Sequence, residues 1–103
     1  ALAHVPSQGE GPWPLLLYLH GAGEMDGDLQ GILSEGAWGT PPVALSKDKA
    51  LPVLAEKFVM VAPHTTRGWR HEAISKFLDF LLAPETGLNI DASRLLVTGH
   101  SMG

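Results

Sequence analysis

Gly99-His100-Ser101-Met102-Gly103 is the stretch whose residue types and spacing could do chemistry. The pattern G-x-S-x-G is that of a nucleophile elbow, in which a serine stands on a sharp turn between a strand and a helix. Both glycines have a physical reason. A serine held in a strained turn leaves no room for a Cβ two residues before it or two residues after it. Acyl transfer by such a serine needs a base to take its proton and donors to stabilise the oxyanion. Ser101 is the expected nucleophile, and the backbone N–H of Met102 is one expected donor. A second donor should come from a loop of small residues after an earlier strand. His20-Gly21-Ala22-Gly23 is such a loop, with the Ala22 N–H as the expected donor. Losing one donor of this kind typically costs about 3–4 kcal/mol of transition-state stabilisation.

The elements that must position these residues follow from the apolar pattern. Residues 95–98 form a short apolar run directly before the elbow, and 15–19 (Leu-Leu-Leu-Tyr-Leu) and 58–62 (Phe-Val-Met-Val-Ala) are two more. None of them alternates, as expected of central strands covered on both faces. Residues 1–6 read as a strand remnant, and 7–14 as a turn dense in Gly and Pro. Residues 24–39 carry Gly27, Gly31, Gly36 and Gly39 and read as an irregular surface excursion that could set substrate choice. Pro41-Pro42 can open a helix, and Pro52 a second short one. Residues 69–82 show the clearest helix, with Ile74, Phe77, Leu78 and Leu81 at helical spacing. Pro84 and Gly87 stop it, and 89–94 read as a connecting turn. Strand, helix, strand, helix, strand predicts α/β architecture: parallel central strands with right-handed crossovers and helices in layers on both faces.

Composition narrows the partners. At 103 residues, 45% hydrophobic and 17% charged, the chain reads as part of one globular domain. A net charge of −4 without a basic block argues against nucleic acid or an anionic membrane surface. A small ester or peptide substrate fits better. The absence of cysteine removes disulfides and thiolate metal sites, and no apolar run approaches the ~20 residues of a membrane span. No signal peptide is read at the N-terminus, so the compartment stays open, with the cytoplasm as the default.

Taken together, L-L-L-Y-L-H-G-A-G-E, G-T-P-P, F-V-M-V-A-P-H and N-I-D-A-S-R-L-L-V-T-G-H-S-M-G resemble the N-terminal part of an α/β-hydrolase. The resemblance is to compact peptidases and esterases related to polyhydroxybutyrate depolymerases, dienelactone hydrolases and phospholipase/carboxylesterases. It runs from about Pro14 to the elbow, so that residues 1–103 would be the N-terminal portion of a single domain. It implies a serine hydrolase with Ser101 as nucleophile, oxyanion donors at Ala22 and Met102, and no cofactor or metal. His20 would then shape the oxyanion loop and not serve as the base. In this superfamily the acid and the base follow the serine. Here the five histidines (4, 20, 64, 71 and 100) precede or adjoin it. His100 occupies the variable position of the elbow and should point away from Ser101. The acid and base are therefore expected beyond residue 103, in the remaining part of the same domain or in another chain that completes the sheet.

Weaker signals have duller readings. Gly21-Ala22-Gly23 starts like a dinucleotide loop, but Asp26 stands where the third glycine belongs. His71-Glu72 starts like a zinc motif, but Ser75 replaces the second histidine. Asp91 and Arg94 read as a structural pair across a turn. Trp38 and Trp69 could line a substrate cleft, since loops at the carboxyl ends of strands form the pocket in such sheets. Two other functions stay open. One is a non-catalytic scaffold that uses the cleft for binding; the other is an assembly fragment that completes its sheet with another chain.

Overall fold

A computed structural model describes residues 1–21, 29–33, 40–65 and 67–100. Four strands, β1 (Leu2–His4), β2 (Trp13–Leu19), β3 (Val59–Ala62) and β4 (Ile90–Gly99), form one mixed sheet in the order β1-β3-β2-β4. Among the described residues three α-helices accompany them: α1 (Pro41–Ser46), α2 (Pro52–Lys57) and α3 (His71–Leu82). The arrangement is of the α/β type.

β2, β3 and β4 run parallel, as the apolar runs predict, whereas β1 pairs antiparallel with β3. The reversal has a simple cause. Residues 5–12 are all that connect β1 to β2, and a return across the sheet to a parallel strand needs a dozen residues or more. The chain therefore turns back at the edge where β1 ends.

The connections after β2 and β3 step in opposite directions, one to β3 and the other back past β2 to β4. Since parallel crossovers are right-handed, they must lie on opposite faces of the sheet. Packing shows that they do. Leu15, Leu17 and Leu19 of β2 join Val59 and Val61 of β3 against Ile74, Phe77, Leu78 and Leu81 of α3. On the other face, Tyr18, Met60 and Ala62 pack with Ile32, Leu29 and Leu45 of the β2–β3 connection. The unbroken apolar runs are thus explained, because alternate side chains of each strand enter different cores.

Three boundaries differ from expectation. Within the expected irregular 24–39 excursion, Leu29–Leu33 form a 3-10 turn, and its Ile32 is fully buried rather than at the surface. α3 begins at His71 and not at residue 69, since Arg70 stays extended and the Trp69 indole is tied to the end of β2. β4 begins at Ile90, so much of the expected 89–94 turn belongs to the strand. It does so irregularly: Trp13 pairs with Ile90 and Leu15 with Leu95, so two steps on β2 oppose five on β4. The extra residues form a bulge that carries the expected turn within the strand. Asp91 Oδ1 accepts from the Ser93 N–H (2.9 Å) and hydroxyl (2.6 Å), and Arg94 Nε donates to Asp91 Oδ2 at 2.8 Å. Arg94 also donates to the Pro12 carbonyl at 3.0 Å, fastening the bulge to the β1–β2 turn.

β4 is the open side of the sheet. Leu96 faces the α1 side and Val97 the α3 side, and they are 51% and 54% exposed. No helix among the described residues is long and apolar enough to cross a membrane.

Candidate active site

β2 lies between two neighbours whose chains leave its carboxyl end differently. The loop after β2 leads to one face of the sheet and the loop after β3 to the other. A crevice opens at such a switch point, outside the carboxyl ends of the strands, and there open α/β sheets bind their ligands. The described residues at that edge come from three places: His20-Gly21 after β2, Pro63 to Thr65 and Arg67 to Trp69 after β3, and Gly99-His100 at the end of β4.

His20 is the anchor of this edge, with 0% of its surface exposed. Its Nδ1 lies 2.7 Å from the Gly21 carbonyl, and its Nε2 lies 3.0 Å from the backbone N–H of Thr65. A carbonyl can only accept and an amide N–H can only donate, so the partners fix the tautomer: Nδ1 carries the proton and Nε2 accepts. Both ring nitrogens are thereby engaged with backbone. The imidazole ties the loop after β2 to the loop after β3, and it offers no nitrogen to a substrate.

The loop after β3 is shaped to meet it. The Thr65 hydroxyl donates to the Gly68 carbonyl (2.9 Å) and accepts the Arg67 N–H (3.2 Å), which closes a tight turn. Gly68 has φ of 96°, a value that a residue with a Cβ rarely adopts. That turn delivers Trp69, whose Nε1–H donates to the His20 carbonyl at 2.9 Å. The indole also lies beside the imidazole, with ring centroids 4.9 Å apart, and His64 approaches the other way at 5.0 Å. Thr65 and His64 were not singled out from sequence. The available signal was their place directly after the second central strand, at the same edge as His20.

β4 reaches this edge in register with β2. Leu19 and Gly99 are Cα partners, and the ladder's last bond runs from the His100 N–H to the Leu19 carbonyl at 3.2 Å. Neighbouring strands are separated by about 4.8 Å, so His20 and His100 leave the sheet side by side. His100 itself is exposed. Of the residues expected at the site, His20, Gly21, Gly99, His100 and Trp69 come to one edge. Ala22, Gly23, Trp38, Ser101, Met102 and Gly103 lie outside the described residues.

Beneath the edge, on the α3 face, is a cavity of about 200 Å³ lined by Leu17, Leu19, His64, Trp69, Ile74 and Phe77. Its walls are mostly apolar, and Trp69 forms part of them. Trp69 is more than a wall, however, because its N–H is committed to the His20 carbonyl. Among the described residues, no three of His, Asp and Glu come together in a way that could hold a metal ion.

The chain matches no family model, and no curated protein matches it.

Proposed function

We propose that these residues form the N-terminal part of a serine hydrolase of the α/β-hydrolase kind, cleaving carboxylic esters and, by the same chemistry, peptide bonds. Ser101 Oγ attacks the substrate carbonyl carbon, and its proton passes to a base. The oxyanion is held by the N–H groups of Met102 and Ala22. Collapse expels the alcohol or amine and leaves an acyl-serine, which water then hydrolyses. The acid and the base belong to residues beyond 103.

One observation carries the reading. The parallel register of Leu19 with Gly99 means that the loop opening at His20 and the elbow opening at His100 start from adjacent points on one sheet edge. An attacking serine and an oxyanion donor from an earlier loop need that adjacency, since both must lie about 3 Å from one substrate carbonyl. The crevice between crossovers on opposite faces supports it as well, as does a buried histidine that braces the loop without competing for a proton.

A second reading rests on β4. A ten-residue edge strand with Leu96 and Val97 exposed on opposite faces is a template for further strands. Within the hydrolase reading, those strands are the rest of the domain. In the alternative, another chain supplies them and the protein is an assembly element.

Intact mass after incubation with a fluorophosphonate, on the longest form of the polypeptide that carries these residues, separates the two. The hydrolase reading expects one adduct, abolished by Ser101→Ala. A folded long form without an adduct refutes it and leaves the assembly reading.

A further inference from the structure

We propose that the cavity on the α3 face is a subsite for an aryl group of the substrate; its service to a substrate rests on the hydrolase reading above. The floor is apolar, because Leu17 and Leu19 of β2 send their side chains to that face and are buried there. Trp69 from the loop after β3, and Ala73, Ile74 and Phe77 from α3, enclose the rest. Arg70 lines the cavity too, and like Ala73 it is exposed, so the cavity opens to solvent. It does so at the edge where β2 and β3 end.

Size limits the occupant. A cavity of about 200 Å³ is too small for a whole ligand, since sites for entire small molecules run from about 300 to 1,000 Å³. It is large enough for one apolar group, because an apolar cavity of about 150 Å³ admits benzene. A phenyl ring on a short tether therefore fits, with the reacting bond left outside at the sheet edge.

The walls select the class. The Trp69 N–H is engaged by the His20 carbonyl at 2.9 Å, and the Thr65 hydroxyl donates to the Gly68 carbonyl at 2.9 Å. Both donors are thus taken, and the exposed Arg70 keeps its charge in water. A polar group entering here gives up hydration for little return, whereas an apolar one gains. The indole and the Phe77 ring add offset or edge-to-face contacts that an aliphatic chain cannot make.

The experiment uses the long form, labelled with ¹³C at isoleucine δ1 methyls, and 3-phenylpropan-1-ol as a probe with no bond to hydrolyse. Within residues 1–103 the isoleucines are 32, 74 and 90, and of these Ile74 alone lines the cavity. The ring protons should give NOEs to the Ile74 methyl, with a Kd on the order of 1 mM for a ligand of this size, while Ile32 in the other core stays unshifted. 1-Hexanol, apolar but without a ring, should bind at least about threefold more weakly. Ala73→Leu, which enlarges an exposed lining residue on a helix, should weaken the probe at least about tenfold. On the hydrolase reading, kcat/KM for methyl 3-phenylpropanoate should exceed that for methyl acetate at least about tenfold, and Ala73→Leu should lower that ratio.

No NOE at Ile74, equal binding of hexanol, or a substrate preference below about twofold overturns the proposal, even in a protein that a fluorophosphonate labels. The wild-type NOE does not depend on the variant folding. Probe binding at Ile74 in a protein that the fluorophosphonate leaves unlabelled is a different failure. It removes the hydrolase reading and leaves the cavity a site for an aryl ligand.

Discussion

Replacing His20 by phenylalanine tests the brace at the sheet edge by stability alone, independent of any activity. The substitution keeps an aromatic ring of similar size, so the contacts with His64 and Trp69, at centroid distances of 5.0 and 4.9 Å, are retained in kind. What disappears are the two polar ends: the Nδ1–H to the Gly21 carbonyl and the Nε2 that accepts the Thr65 N–H. Gly21 is buried and Thr65 is half-buried, so neither orphaned group recovers full hydration. Each lost bond with a buried partner left unsatisfied costs about 1–3 kcal/mol, toward the lower end for Thr65, which gives about 2–4 kcal/mol in all. With a urea m-value of about 1.5 kcal/mol/M, a loss of 3 kcal/mol lowers the midpoint by roughly 2 M. Urea titration followed by tryptophan fluorescence reads the shift, with Trp69 itself as a local reporter. His20→Gln, which keeps a donor and an acceptor on one side chain, should recover part of it. A midpoint within about 0.5 M of wild type for the phenylalanine variant would refute the reasoning, since it would mean that the two bonds contribute under about 1 kcal/mol together.

Two further predictions concern the elements around that edge. Gly68→Ala must force a Cβ into φ of 96°, and is expected to cost about 1–2 kcal/mol and to reduce the hydrogen-exchange protection of the Trp69 indole N–H; unchanged stability and protection would show that the turn after β3 tolerates other conformations. Asp91 is held down to about 2 from an ordinary 3.8, first by the Ser93 hydroxyl, then by the Ser93 N–H and the Arg94 guanidinium. A depressed carboxylate contributes stability that is complete above its unfolded value and is lost as pH falls through the folded one, here between about 3.8 and 2. Wild type should therefore exceed Asp91→Asn in urea midpoint at pH 5 by more than at pH 2, modestly because the pair is exposed. A carboxyl titration of Asp91 centred near 3.8 would contradict the bulge geometry.

What could be read from the sequence were the parts governed by local pattern. The runs 15–19 and 58–62 became the middle of the sheet because only strands covered on both faces stay apolar without alternation. Pro41 and Pro52 opened helices because their fixed φ suits a first turn. What could not be read depended on contacts distant in sequence. Trp69 carries no local sign that it will stay out of α3; the reason is a carbonyl 49 residues earlier. The bulge at 91–94 combines a turn signal with strand pairing, and a local reading had to choose one of them. The direction of β1 followed from connection length, a constraint visible in the sequence once the neighbour of β1 is known.

The same division runs through the candidate site. The glycines around position 101 and at 21 and 23 announce themselves in the sequence, since small residues are what the turns and close approaches of the proposed chemistry would call for. The residues that hold such a loop still do not, because a brace is defined by its partner and not by its own type. His20 illustrates the difference. The resemblance already argues against reading it as a base, and its two backbone partners, 2.7 and 3.0 Å away, give an independent physical reason, since they occupy both ring nitrogens. A histidine with both nitrogens bonded to main chain cannot take a proton from a serine without giving up one of those bonds. The base of the proposed reaction must therefore come from elsewhere, and the geometry of His20 points the same way as the order of the triad, in which the histidine follows the serine.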